Sequence, residues 1–239
     1  MTLSDVLGIL RFLCLILTSN LFAISAILTI PLSPSGKLFH ANSRLWAKTV
    51  LFLGGISVRV QGLEKLAFPG SYIYVANHAS MFDIPAIVAG IPDQIRIVYK
   101  KELERIPLFG WGLKWGSYVG INRKGGIDAV KSLEEAAEKI RTGASVLLYA
   151  EGTRTLDGKL QPFKRGAFHL AIKSGVPVVP LTVNGSFDIL RKHSFVVHPG
   201  IVSLVLESPI ELRNANGKDA EMLLMEQVYA AIRKHYIDQ

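Results

Sequence analysis

The sequence predicts an α/β protein in which a central sheet of about seven strands is flanked by helices and preceded by an N-terminal membrane-associated helical hairpin. Two patterns indicate this fold class. After Gly54, short β-rich runs alternate with helical patterns, and short loops marked by Gly or Pro separate them. Before Gly54, the chain is dominated by long apolar stretches. At 239 residues it is long enough for one sizeable core, so a second full domain is not expected.

The N-terminal hairpin is predicted from two apolar stretches. Val6 to Ile30 carries Arg11 as its only charge and is long enough to span a bilayer, whereas Leu38 to Gly54 carries Arg44 and Lys48 and looks interfacial. Two geometries remain open: the first helix crosses the membrane, or both helices lie embedded in one leaflet. The basic residues that follow the first stretch favour a cytoplasmic position for the rest of the chain.

We expect residues 1–54 to form the membrane-anchoring helices and residues 55–239 to form the α/β domain. Each predicted strand is a short apolar run rich in β-branched residues, and each predicted helix has apolar residues at helical spacing. The predicted strands are Ile56–Val60, Tyr72–Ala76, Ile95–Tyr99, Tyr118–Ile121, Val146–Ala150, Val178–Val183 and Val202–Leu206. The predicted helices of this domain are Phe82–Ala89, Leu108–Trp115, Gly126–Arg141, Gly166–Ser174 and Asp219–Tyr236.

Composition narrows the classes of partner. The chain is 49% hydrophobic and has a net charge of +8, which favours an anionic membrane surface or anionic substrates. Nucleic acid is the competing partner for a basic chain, but the apolar first fifty residues argue against it. The one cysteine, Cys14, lies in an apolar stretch and allows no internal disulfide. Because neither a H-E-x-x-H motif nor a Cys/His cluster is present, we expect no metal site.

The stretch N-H-A-S-M-F-D, residues 77–83, places an imidazole at the end of a predicted strand. His78 would lie in the turn, and Asp83 in the first turn of the next helix would orient it as a general base. The competing interpretation is a capping box, Ser80-x-x-Asp83, which needs no catalysis. This stretch alone does not separate the two.

Three further stretches place cations at strand ends or helix starts. Y-V-G-I-N-R-K-G-G (118–126) contains Arg123, L-L-Y-A-E-G-T-R (147–154) ends in Arg154, and P-F-K-R-G-A-F-H-L-A (162–171) contains Lys164. A single basic turn is more often solvated surface, but several together suit a phosphate, which arginine binds bidentately.

The chain resembles the glycerolipid acyltransferases, and within them the bacterial 1-acyl-glycerol-3-phosphate acyltransferases (PlsC-like). N-H-x-x-x-x-D at 77–83, G-I-N-R at 120–123, E-G-T-R at 151–154 and V-P-V-V-P at 176–180 match the four motifs of that family in order and spacing. The resemblance covers about residues 40–210. Two positions depart from it: Ala150 stands where the family usually has Pro, and Asn122 stands where Asp is common.

The resemblance implies transfer of a fatty acyl group from acyl-CoA or acyl-carrier protein to the free sn-2 hydroxyl of lysophosphatidic acid, which gives phosphatidic acid without a cofactor. A hydroxyl needs a base before it can attack. His78 would be that base, Asp83 its orienting carboxylate, and Asn77 a support of the turn.

The remaining site residues are assigned to substrate binding by the same resemblance. The expected substrate-binding residues are Arg123, Glu151, Gly152, Thr153, Arg154 and Lys164. Arg123, Arg154 and Lys164 would hold the acceptor phosphate, Glu151 would order its turn or contact the glycerol, and the turn around Gly152 would supply oxyanion donors.

Three other functions compete with this one. An acyltransferase for another lyso-lipid, such as lyso-ornithine lipid, would use the same catalytic pair. A membrane-bound esterase should carry G-x-S-x-G, which the chain lacks. A lipid-binding protein without catalysis would have no need of His78 beside Asp83.

Overall fold

The computed structural model describes residues 3–33, 36–116, 118–122, 136–137, 140, 145–212 and 217–238. Seven strands form one sheet in the order β1-β7-β6-β2-β5-β3-β4. All neighbouring strands are parallel except β6 and β7, which run antiparallel. The strands are β1 Ile56–Gln61, β2 Ile73–Ala76, β3 Ile95–Lys100, β4 Val119–Ile121, β5 Ser145–Tyr149, β6 Val178–Asn184 and β7 Gly200–Leu206.

The helices surround this sheet and precede it. Those whose bounds are described are α1 Leu3–Thr29, α2 Lys37–Gly54, α3 Asp83–Gly90, α4 Phe109–Trp115, α5 Arg165–Ser174, α6 Ser186–Ile189 and α7 Gly217–His235. Two short 3₁₀ helices cover Leu63–Lys65 and Lys101–Arg105. The predicted α/β fold class and all seven predicted strands are confirmed, and the ends of the strands shift by at most two residues. The short helix α6 and both 3₁₀ helices lie outside the elements that the sequence predicted.

The predicted helix Gly126–Arg141 falls mainly on residues outside the described part of the chain. Of that range, only Ala136, Ala137 and Ile140 are described, and all three are helical and buried. The predicted site residue Arg123 also lies outside the described residues.

Alternate residues of β2 point into two separate buried clusters, so both faces of the sheet are covered. Tyr74 and Ala76 pack with Ile87 of α3 and with Val50 of α2. Ile73 and Val75 face the opposite cluster, which includes Phe168 of α5 and Leu224 of α7. Complete burial explains why this strand is an unbroken apolar run up to Asn77.

The first two helices pack against each other as a hairpin and also against the domain. Leu15 of α1 joins the same buried cluster as Val50 and Leu51 of α2. Trp46 Nε1 donates to Ser19 Oγ at 3.0 Å, which ties the two helices together. The domain boundary at residue 54 stays a prediction, since the core is continuous across it.

Candidate active site

His78 and Asp83 lie at the carboxyl end of β2, where the chain turns into α3. His78 Nδ1 is 2.7 Å from Asp83 Oδ2, and the imidazole is 16% exposed while the carboxylate is fully buried. A carboxylate acceptor at Nδ1 assigns the ring proton to that nitrogen and leaves the Nε2 lone pair free. The pair therefore has the geometry that a general base requires.

Asp83 also orders the turn that precedes it. Its Oδ2 atom accepts the backbone N–H groups of Ala79 at 2.8 Å and Ser80 at 3.0 Å. The reciprocal half of a capping box is missing, because Asp83 N–H donates to the Ser80 carbonyl, while the Ser80 hydroxyl oxygen accepts the N–H of Phe82 instead. A single oxygen atom, Asp83 Oδ2, therefore serves both proposed roles: it orders the turn and it binds the imidazole.

Glu151 connects the His78 turn to the E-G-T-R turn that follows β5. Its Oε1 accepts the backbone N–H of His78 at 2.6 Å, and its Oε2 accepts that of Gln161 at 3.0 Å. In return, Thr155 N–H donates to the carbonyl of His78 at 2.9 Å. Burial raises the pKa of Glu151 to about 7, against the two backbone donors that favour its ionised form. With both oxygens engaged by backbone, Glu151 orders the two turns as one unit.

The turn itself depends on Gly152, whose φ of +72° lies in the left-handed region. The backbone N–H of Gly152 donates to the carbonyl of Tyr149 at 3.0 Å. Because this N–H is already hydrogen-bonded within the turn, it is not available to stabilise an oxyanion. The hypothesis that the turn supplies oxyanion donors therefore has no support from Gly152. Thr153 is exposed beside it.

Two of the three predicted phosphate-binding cations lie in the described part of the site. Arg154 is half-buried, and its pKa is lowered by burial while the charge of Asp83 raises it. No described residue accepts a hydrogen bond from its guanidinium. Lys164 lies against the same turn, since a Cβ on Gly152 would come within 3.2 Å of Lys164 Nζ.

Asn77 fastens the His78 turn to the neighbouring strand. Its side-chain amide donates to the carbonyl of Val183 and accepts the backbone N–H of the same residue, both at 2.8 Å. This doubled contact supports the predicted role of Asn77 in the turn. It also fixes the end of β2 against β6, whose first three residues are the last three of the V-P-V-V-P motif.

Two residues of the site were not predicted from the sequence. Tyr149 stacks on the imidazole of His78, with ring centroids 3.8 Å apart and 16° between the planes. Its pKa is raised well above the usual value by burial and by the charge of Asp83. Lys192 Nζ donates to Thr153 Oγ1 at 3.0 Å and to the carbonyl of Arg154 at 3.3 Å. Proximity to the E-G-T-R motif signals Tyr149, but no local pattern signals Lys192, which is distant in sequence.

The arrangement is that of an α/β enzyme, with a His–Asp pair and the cations Arg154 and Lys164 near the carboxyl end of its strands. The chain belongs to the acyltransferase family: a family model described as "Acyltransferase" matches residues 57–184. The match includes His78, Asp83 and the whole E-G-T-R turn.

Similar proteins with known names point the same way. The chain is 34% identical, over 73% of its length, to a chloroplastic 1-acyl-sn-glycerol-3-phosphate acyltransferase of Brassica napus. It is 30% identical, over 72% of its length, to 1-acyl-sn-glycerol-3-phosphate acyltransferase alpha of Mus musculus. These matches cover 51% of the Brassica protein and 61% of the mouse protein, so the chain spans little more than half of each.

A solved structure resembles nearly the whole chain. The 1-acyl-sn-glycerophosphate (LPA) acyltransferase PlsC of Thermotoga maritima superposes with a TM-score of 0.81 at 26% identity. The match covers 96% of this chain and 93% of that one, including the N-terminal helices.

Proposed function

We propose that the protein transfers a fatty acyl group from acyl-CoA or acyl-carrier protein to the sn-2 hydroxyl of lysophosphatidic acid, forming phosphatidic acid. The observation that carries this proposal is the His78–Asp83 pair with the guanidinium of Arg154 nearby. The described residues supply no hydrogen-bond acceptor for that guanidinium. A base for the hydroxyl and a cation for the phosphate are what this acceptor needs. The names of the relatives support the same acceptor.

The proposed reaction uses both nitrogens of the His78 ring. His78 Nε2 takes the proton from the acceptor hydroxyl, and the imidazolium is stabilised by Asp83 on the other side of the ring. The hydroxyl oxygen attacks the thioester carbonyl and forms a tetrahedral oxyanion. When the carbon–sulfur bond breaks, the imidazolium returns its proton to the departing thiolate, so His78 is ready for the next cycle.

The direct test is an acceptor competition with the purified protein in lipid vesicles. We expect acyl transfer to lysophosphatidic acid to exceed transfer to lyso-ornithine lipid and to monoacylglycerol, with either acyl-CoA or acyl-carrier protein as donor. Preference for lyso-ornithine lipid would assign the protein to a different acceptor. Release of free fatty acid without acyl transfer would identify an esterase.

Arg154→Ala should raise the KM for lysophosphatidic acid by about 10- to 100-fold, because a charge-assisted hydrogen bond contributes roughly 1.5–3 kcal/mol. Arg154→Lys should recover part of the loss, since a point charge does not reproduce the bidentate contact. Steady-state kinetics with lysophosphatidic acid and with monoacylglycerol, which lacks the phosphate, measures the effect.

The matched control for Arg154 is Arg165→Ala. Arg165 is also near the site in sequence, but its Nε is 3.2 Å from Glu221 Oε2, so its charge is already paired. The control should leave the KM for lysophosphatidic acid unchanged. An Arg154→Ala variant that harms both acceptors equally would make Arg154 a structural residue.

We propose further that α1 lies in the plane of one leaflet and keeps the domain at the cytoplasmic face. Among the described helices, α1 alone is long and apolar enough to cross a membrane. Only 11% of its most apolar stretch is buried. However, α1 contacts the rest of the chain near both of its ends. The carbonyl of Gly8 accepts the N–H of Val197 in the α/β domain, and the hydroxyl of Ser25 donates to Asn42 of α2. These positions are ~26 Å apart along a helix. A spanning α1 would draw those partners into a hydrocarbon core of about 30 Å.

Cys14 tests this orientation without mutation, because it is the one cysteine and it is exposed near the middle of α1. A spin label there should sit about 5–10 Å below the headgroups if α1 is flat. It should sit near the bilayer centre, at about 15 Å, if α1 spans. Relative accessibility to oxygen and to a water-soluble nickel complex measures the depth.

Two further labels make the Cys14 result decisive. Leu7→Cys and Leu28→Cys, each in a Cys14→Ser background, label exposed positions toward the two ends of α1. A flat helix gives similar depths at all three positions. Shallow depths at both ends with the greatest depth at Cys14 would show that α1 spans.

A further inference from the structure

The helix α4 and the segment that leads into it expose a concentration of large apolar side chains. Ile106, Phe109, Trp111 and Trp115 are 45%, 42%, 42% and 52% exposed, and together they form the α4 apolar surface. Trp111 and Trp115 lie one turn apart, with ring centroids separated by 5.9 Å. Nothing in the proposed acyl transfer uses these four side chains, so a separate explanation is needed for their exposure.

The seating of α4 fixes this surface in place. A Cβ on Gly110 would collide with the backbone of Leu103 and Glu104, so α4 packs tightly on the preceding 3₁₀ helix. A Cβ on Gly116 would come within 2.5 Å of the Phe39 ring of α2. Leu108, immediately before α4, has a φ of +61°, a strained conformation that persists only where surrounding contacts impose it. The aromatic side chains therefore point outward from a firmly held helix.

The α4 apolar surface belongs to a helix that neighbours α1, the proposed membrane helix. The two helices are in contact, and packed helices lie about 8–10 Å apart. Leu21, Ile24 and Leu28 remain exposed on the C-terminal half of α1. A lipid layer that covers α1 therefore extends over the neighbouring helix as well.

The chemistry of the surroundings favours lipid over a protein partner. Tryptophan is enriched where a membrane meets water, because its ring is apolar and its N–H is polar. Lys101, Arg105 and Lys114 are exposed around the surface. The nearby acids are turned to other partners: Glu102 lies 3.7 Å from Lys100, and Glu104 accepts the Tyr99 hydroxyl. The exposed charge is thus mainly positive and suits anionic headgroups.

We propose that α4 is a second membrane-docking element, and that Trp111 and Trp115 lie at the level of the lipid headgroups. The inference rests on the membrane placement of α1 proposed above, but it concerns a different helix. Its test does not measure acyl transfer, so it can fail while the proposed function stands.

The test uses the fluorescence of Trp111 and Trp115. The chain has three tryptophans, so the full-length Trp46→Phe variant retains only these two. The variant is bound to vesicles of phosphatidylethanolamine and phosphatidylglycerol that are brominated either near the glycerol end or near the methyl end of the acyl chains. We expect stronger quenching by the bromines near the glycerol end, and protection from aqueous iodide relative to the unfolded protein.

Each other outcome overturns the proposal. Stronger quenching by bromines near the methyl end would place α4 deep in hydrocarbon. Quenching by iodide as strong as in the unfolded protein would place it in water. Protection from iodide without quenching by either brominated lipid would show that protein, for example a second copy of this chain, covers the surface.

A partition measurement supplies a matched pair of variants. Trp111→Gln combined with Trp115→Gln should weaken vesicle binding by about 10-fold or more, since burial of one large apolar side chain contributes roughly 1.5–3 kcal/mol. Met222→Gln combined with Leu223→Gln removes two exposed apolar side chains from α7 and should leave binding unchanged. Equal binding by both double variants would contradict a docking role for α4.

Discussion

Replacing His78 with alanine is expected to lower kcat for acyl transfer by roughly 10²–10⁴-fold, the usual cost of removing a general base. The methyl side chain has no nitrogen to take the hydroxyl proton, and the Asp83 carboxylate behind it is fully buried. Steady-state turnover at saturating acceptor and donor measures the loss. A circular dichroism spectrum and a melting temperature close to wild type would show that the fold persists.

The chain contains a matched control for this variant. His169 Nδ1 lies 2.8 Å from Glu221 Oε1, nearly the same distance as in the His78–Asp83 pair, but it joins α5 to α7 away from the β2 turn. His169→Ala should leave kcat nearly unchanged. Near-normal turnover of the His78→Ala variant would remove the catalytic assignment of His78, whatever the control shows.

Asp83→Asn should lower kcat by about 10²-fold or more with little change in melting temperature. The asparagine side-chain oxygen can take the position of Oδ2 and still accept the backbone N–H groups of Ala79 and Ser80. The negative charge that stabilises the imidazolium is lost, however, and only the chemical step depends on that charge. Turnover and thermal unfolding of the same preparation separate the two roles.

The choice of substitution decides what the Asp83 experiment can show. Alanine would remove the turn contacts and the orienting carboxylate together, since both use one oxygen. Asparagine removes only the charge. Unchanged turnover in Asp83→Asn would leave Asp83 as a residue that orders the turn, and His78 would then act without an orienting carboxylate.

The sequence predicted the sheet well because its central strands, β6, β2, β5 and β3, are buried over most of their length. Every residue of β6, Val178–Asn184, is buried, which produces an apolar run that only Thr182 interrupts before Asn184 ends it. The His78 and E-G-T-R turns were also predictable, since each polar group follows directly on such a run. Their closeness follows from the pairing of Ala76 with Tyr149 in adjacent parallel strands.

The unpredicted features depend on contacts between distant segments. The order of the strands and the antiparallel pairing of β6 with β7 leave no local pattern. Lys192 reaches Thr153 only because the chain after α6 folds back over the site. The stacking of Tyr149 on His78 likewise requires the side-chain geometry at two neighbouring strand ends. Local periodicity carries no information about such long-range juxtapositions.

The flat orientation proposed for α1 would also govern how the protein meets the proposed acceptor. Lysophosphatidic acid would reach His78 by lateral diffusion within the leaflet, and phosphatidic acid would return to the same leaflet without crossing the bilayer. The encounter is then a two-dimensional search, so the relevant concentration is the mole fraction of acceptor among the surrounding lipids. Inert phospholipid added to the same leaflet slows the reaction by surface dilution, although the bulk amount of acceptor stays constant.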